Sequence, residues 1–304
     1  MTTPAVLSRA TYIQGALWGV FAISIWVGWI IFTRFGVTTT LTAYDITALR
    51  FGCAGLVMLP LVWRDGWGIA RAGWSTWLIM VSCAGVPYVL LASSGLRFAP
   101  AAHAGALVPG TMPLWAALLA MLFLKEQISG LRRLGLMLIP LGIAVILGGG
   151  LTDFASGHWK GHLLFLSAAM TWASFTVAVR RAGLQPLHAA AVVSVVSMLV
   201  YLPIYALFLP HRIAQASWGV IVSQTLYQGI AVSIISLVAY ARAVSILGAS
   251  LGASFASLVP VLAMLGAIPL LGEVPAGYDY LGIAAVTCGV FLSSGAYQVF
   301  LKKN

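Results

Sequence analysis

The amino-acid sequence predicts an all-α polytopic membrane protein: ten transmembrane helices in two inverted five-helix repeats, with the N-terminus and the C-terminus both in the cytoplasm. Three observations carry this. Of the 304 residues, 61% are hydrophobic and only 7% are charged, and the mean hydropathy is +1.02, a composition no soluble domain shares. Long stretches without Asp, Glu, Lys or Arg follow one another with short connections, each near the roughly 20 residues a helix needs to cross hydrocarbon. The chain also matches itself. Gly15, Trp26 and Arg34 fall on Gly161, Trp172 and Arg180 at a shift of 146, and a shift of 147 brings Pro113, Glu126, Leu134, Gly135 and Gly142 onto Pro260, Glu273, Leu281, Gly282 and Gly289. Five spans per copy is an odd number, so the second copy (151–304) enters the membrane from the side opposite to the first (1–150).

The expected spans are 12–33, 42–63, 74–96, 101–124, 131–150, 161–180, 188–209, 217–240, 248–271 and 278–299. The first outlasts the 7–15-residue core of a signal peptide and no small-residue cleavage site follows it, so it reads as a retained helix. It carries Trp26 well inside, and its equivalent Trp172 sits in the sixth span; headgroup-belt anchoring, which suits Trp18, Trp63, Trp67, Trp74, Trp77, Trp159 and Trp218, suits these two poorly. Both are candidates for lining a pathway, with core packing as the rival.

The second span holds internal charge, Asp45 and Arg50. A charge at mid-helix costs roughly 2.5–3.5 kcal/mol on insertion scales, so Arg50 requires compensation. Asp45 stands five residues earlier and stacks poorly on it, so each must reach another helix. Arg50 is then either a structural ion pair or carbonyl clamp, or a group that meets a substrate carboxylate or changes partner during a transport cycle. The third span offers Tyr88 beside Pro87, with Ser93 and Ser94.

In the fourth span Pro109 and Pro113 free the carbonyls of Gly105 and Pro109, and in the ninth Pro260 frees that of Ala256. Such backbone must face protein or a wet cavity, and its matched placement points to a shared site. Ser250, Ser254 and Ser257 lie on one face of the ninth span opposite His103, Leu107 and Gly110, their repeat equivalents; they serve either close packing or a pocket. The eighth span presents Ser236 and Tyr240, with Ser233, on one face. Gly135 and Gly142 in the fifth span and Gly282 and Gly289 in the tenth mark close helix contacts.

The net charge of +10 records orientation. With the N-terminus inside, Arg9, Arg64, Arg71, Lys125, Arg132, Arg133, Arg180, Arg181, Arg242, Lys302 and Lys303 are cytoplasmic, against Arg34, Arg97, Lys160 and Arg212 outside. This distribution excludes a nucleic-acid surface. The three cysteines have no ligand-like spacing and the five histidines are dispersed in sequence, so neither a metal nor another cofactor is expected. No Walker loop, dinucleotide fingerprint, nucleophile elbow or zinc-protease pair occurs, and Asp45 is read as the only acid within a span. The chain is therefore not read as an enzyme. If an ion couples to its work, Asp45 and His103 are the proton carriers on offer.

A Trp-bearing opening helix followed by a basic residue in each half, the Arg50–Phe51 pair, the proline turns leading to Glu126 and Glu273, and a Gly-rich fifth helix together resemble the drug/metabolite transporter superfamily, EamA type, over nearly the whole chain. The nearest resemblance within it is to bacterial amino acid exporters, those for aromatic amino acids in particular. Val196 stands where Arg50's equivalent would be, so the halves are not functionally equal. The resemblance implies a ten-helix carrier of small organic molecules in the bacterial inner membrane; the two inverted halves point to alternating access about a central site, and a monomer or homodimer is expected. Its partners are the lipid bilayer and a small-molecule substrate, an amino acid or amphipathic metabolite. Freed carbonyls would accept from an ammonium, hydroxyls and His103 would donate to a carboxylate, and Trp and Tyr faces would pack an apolar body. Two rivals stand beside this: efflux of lipophilic cations, and a non-transporting membrane receptor or assembly factor.

Overall fold

The computed structural model describes residues 9–125, 127–128, 130–152 and 156–298, and every regular element among them is helical. Glu126, Lys302 and Lys303 lie outside the described residues. The order is α1 (Arg9–Thr39), α2 (Ala43–Asp65), α3 (Ile69–Ala72), α4 (Trp74–Ala84), α5 (Val86–Phe98), α6 (Ala101–Leu124), α7 (Gly130–Thr152), α8 (His158–Ala182), α9 (Pro186–Phe208), α10 (Trp218–Leu226), a π-helical segment (Tyr227–Ile235), α11 (Ser236–Leu247), α12 (Ala249–Ser254), a 3₁₀ turn (Phe255–Leu258), α13 (Val259–Leu271) and α14 (Gly277–Ser294).

Nine helical runs among the described residues are long and apolar enough to cross a membrane, with α4–α5, α10–α11 and α12–α13 each forming one run. The tenth expected span is α14, which has 18 residues and opens on Tyr278, Asp279 and Tyr280, so it falls short of that hydropathy. The exterior is apolar: Trp63, Trp218, Phe208 and Leu207 are 88%, 80%, 78% and 74% exposed. Water would penalise such a surface, whereas lipid does not. This is a multi-pass membrane protein.

Local sequence explains the breaks. Thr42 caps α2 through a capping box with Asp45, and Pro87, Pro186 and Pro260 occupy first-turn positions where no helical N–H is needed. α6 ends on Lys125 at φ 54°, the position that Gly272 fills at φ 68° after α13. A left-handed cap is normally a glycine's, so the first half carries strain there that the second does not.

Helix pairing follows the repeat. α2 packs on α9, α6 on α13 and α7 on α14, while α1 packs on α11 and α8 on α4 and α5. Exchanging the halves maps this set onto itself. At the α7–α14 seam, a methyl group on Gly135 would fall 2.6 Å from the Gly289 carbonyl oxygen, and one on Gly142 would fall 2.6 Å from that of Gly282.

Two expectations are corrected here. The Ala256 carbonyl is not left free by Pro260: the chain tightens into a 3₁₀ turn and the Val259 N–H donates to it. Neither do Ser233, Ser236 and Tyr240 share one simple α-helical face, because Tyr227–Ile235 is π-helical and Ser233 Oγ donates five residues back, to Gln228 O, at 2.8 Å. The wider turn shifts the register that a 3.6-residue period assumes.

Candidate functional site

An aromatic group built from both halves lies inside the bundle. Tyr88 on α5 stacks on Trp29 of α1 at 6.0 Å between centroids and meets Trp172 of α8 at 4.8 Å. Trp26 of α1 meets Tyr240 of α11 at 5.1 Å, and its Nε1 donates to Ser236 Oγ at 3.0 Å. Tyr88 and Trp29 are buried; Trp26, Trp172 and Tyr240 are half-buried. Trp29 stands three residues from Trp26, a spacing that places both rings on one helix face, yet sequence reasoning passed over it.

Arg50 is 7% exposed, and its Nε and Nη1 have no hydrogen-bond partner. None of the ion pairs among the described residues includes it. It interacts electrostatically with Tyr88, and its guanidinium carbon lies 6.0 Å from the Phe51 ring centroid, a modest compensation for burial. Trp29 Nε1 and Ser93 Oγ are likewise buried without partners. Each unsatisfied buried donor costs about 1–3 kcal/mol, and a charged one more. A cation and an indole N–H left open around one tyrosine form a ready receptor for an anionic head beside an aromatic body.

Asp45 does not compensate Arg50. Its carboxylate accepts from Thr42 N at 2.7 Å, Thr42 Oγ1 at 2.8 Å, Tyr205 OH at 2.6 Å and Arg212 N at 3.2 Å, and it is wholly buried. It caps α2 and ties it to α9 and the segment after it. The three hydroxyls of the ninth span are also committed to backbone: Ser250 donates to Ser294 O at 2.9 Å, Ser254 to Leu251 O at 2.8 Å and Ser257 to Ser254 O at 2.6 Å. Of the prolines, Pro109 and Pro113 lie within a continuous α6, and Pro260 opens α13.

His103 sits apart from the aromatic group, in the first turn of α6, where it joins a second cluster. Its Nδ1 lies 2.8 Å from His162 Nε2 and its Nε2 lies 3.0 Å from Asp279 Oδ1. The His158 ring is 6.0 Å away, centroid to centroid. Dispersal along the chain thus hid a spatial gathering, because α6 and α8 bring their first turns together. The reading of Asp45 as the only acid in a span is also corrected: Asp279 belongs to the first turn of α14 and is 4% exposed. Nearby, Arg34 Nε donates to Glu273 Oε1 at 2.6 Å and its Nη1 to Leu96 O, while Glu273 Oε2 accepts from Ala101 N at 2.7 Å. These residues border a cavity of ≈ 260 Å³ that Arg34, His103, His158, Glu273, Tyr278 and Asp279 help line. Another, of ≈ 730 Å³, lies at the α2–α3 turn between Arg64, Arg71 and His188. No group of acid, His and Cys side chains among the described residues could hold a metal ion.

The sequence profile of the EamA-like transporter family matches residues 13–148 and again residues 159–295. The chain belongs to the EamA-like transporter family. Like other members of the drug/metabolite transporter superfamily it is a membrane transporter. Its relatives include three from Bacillus subtilis (strain 168). The uncharacterized transporter YyaM is 25% identical over 90% of this chain and 93% of its own, and YetK is 25% identical over 81% and 77%. YdfC is 29% identical over 71% and 68%. A solved structure described only as "Crystal structure of protein" shares the fold, with a TM-score of 0.59 at 22% identity over 94% of this chain and 98% of that one.

Proposed function

We propose that this EamA-like transporter exports small organic solutes, foremost aromatic or hydrophobic amino acids, across a bacterial inner membrane. In this reading, residues 1–150 and 151–304 are inverted five-helix halves that rock about a central site with both termini cytoplasmic. The duplicated family match and the exchange symmetry of the helix contacts support the two halves.

The observation that carries the substrate class is Arg50, buried and with two nitrogens unpartnered close to Tyr88, the ring that packs on Trp29 and Trp172. A substrate carboxylate supplies what the guanidinium lacks, and the rings pack an apolar side chain. Efflux of lipophilic cations fits less well, since a second cation would meet an uncompensated one. A carrier must also release its cargo, so binding constants from micromolar to millimolar are expected, about 4–8 kcal/mol. Flux of radiolabelled tryptophan, phenylalanine and leucine into liposomes holding the purified chain tests the reading. Flux that saturates supports it; no flux of any amino acid overturns it.

A further inference from the structure

The cluster around His103 is a different site. His103 lies on α6, whereas His162 is on α8 and Asp279 on α14, so this hydrogen-bonded row crosses between the two matched regions of the chain. All three side chains are buried, and His103 and Asp279 border the ≈ 260 Å³ cavity. Asp279 has a further partner, the Ala276 N–H at 2.9 Å from Oδ2, which fixes the carboxylate against α14.

The row accepts a proton without losing either bond. In one state His162 donates from Nε2 to Nδ1 of His103, which donates from Nε2 to Asp279. A proton arriving at Nδ1 of His162 sends the Nε2 proton onto Nδ1 of His103. His103 is then doubly protonated, donates in both directions, and holds its charge against the Asp279 carboxylate. Passing its Nε2 proton to Asp279 and on to the cavity leaves both imidazoles as Nδ1–H tautomers, which must return to Nε2–H before the next proton. One proton enters and one leaves.

We propose that His103, His162 and Asp279 form a proton-binding site that couples proton movement to the transport cycle. The coupling rests on the carrier reading above; proton binding itself does not. Protonation turns the α6–α14 contact from a hydrogen bond between a neutral imidazole and a carboxylate into an ion pair, which gives the charge state a hold on how the halves meet. The other half lacks the device: the equivalent positions are Ser250, Ala16 and Arg132. The other titratable groups facing the row are His158 from α8, Tyr278 from α14, Glu273 after α13 and Arg34 from α1, with Glu273 and Arg34 paired to each other. Arg97 at the end of α5 and Lys160 on α8 are exposed.

The test compares two modes of tryptophan transport in liposomes, counterflow at equal pH and accumulation driven by a pH gradient, in wild type, Asp279→Asn and His162→Gln. The expected result is gradient-driven accumulation by wild type, with its ratio to counterflow at least tenfold lower in both variants. A purely structural role would lower both modes together and leave the ratio unchanged. Counterflow without any effect of a pH gradient overturns the coupling while the carrier reading stands. If no amino acid shows counterflow, the carrier reading fails, and nitrogen-15 NMR of histidine-labelled protein decides the proton site alone. An imidazole whose proton affinity falls at least tenfold in Asp279→Asn supports it; unchanged histidine titration overturns it.

Discussion

Trp172 packs on Tyr88 at 4.8 Å, and its repeat equivalent Trp26 packs on Tyr240 at 5.1 Å, so each duplicated tryptophan is held by a tyrosine of the other half. The proposed rocking of the halves would therefore change both contacts. Aromatic pairs contribute about 0.5–1.5 kcal/mol beyond area burial, so Trp172→Ala and Trp26→Ala should each raise the tryptophan concentration for half-maximal flux by up to about tenfold. Concentration dependence of flux checks this.

The Arg34–Glu273 pair joins the end of α1 to the loop after α13, and Glu273 also holds the first N–H of α6. Glu273→Gln removes the ion pair but keeps an acceptor. A single Cys at Ala102, beside the cavity, should then react faster with a membrane-impermeant maleimide, by a few-fold, because the contact that fastens this end is weakened.

Gly135 and Gly289 leave no room for a side chain between α7 and α14. Alanine at either position forces the backbones apart and should destabilise the protein by about 1–3 kcal/mol. Thermal unfolding in detergent measures it, with alanine at the open Gly148 as the control.

Lys125 occupies a left-handed backbone conformation that its repeat counterpart Gly272 adopts freely. Lys125→Gly should stabilise the α6 terminus by about 1 kcal/mol, in the same thermal assay.

Much of this architecture is legible in the sequence because hydrophobic length and duplication are local signals. The helical runs from Ala43 to Asp65 and from Pro186 to Phe208 lie close to where composition puts them. The helix interruptions are unequally legible: Tyr227–Ile235 carries no proline to announce its π geometry, whereas Pro87 marks the break at Gly85. For the site, Trp26, Trp172, Tyr88 and Arg50 stand out as residues too polar or too deep for lipid. Asp279 and His162 do not, because each lies at a span's edge where solvent is the simple expectation, and only the meeting of α6, α8 and α14 buries them. Asp45 stands out for the same reason as Arg50 but is consumed by capping, a distinction that depends on Tyr205 and Arg212, 160 and 167 residues away.

Arg50 tests the central claim most directly. Equilibrium binding of L-tryptophan and L-tryptophanamide, which lacks the carboxylate, should be compared on purified wild type and Arg50→Met, with thermal unfolding run alongside. A charge-assisted hydrogen bond contributes about 1.5–3 kcal/mol, so wild type should prefer tryptophan by roughly 10–100-fold and Arg50→Met should lose that preference. The variant should also unfold at a higher temperature, since it no longer buries an uncompensated charge. Equal affinity for the two compounds in wild type, or a preference that survives in Arg50→Met, would contradict the account.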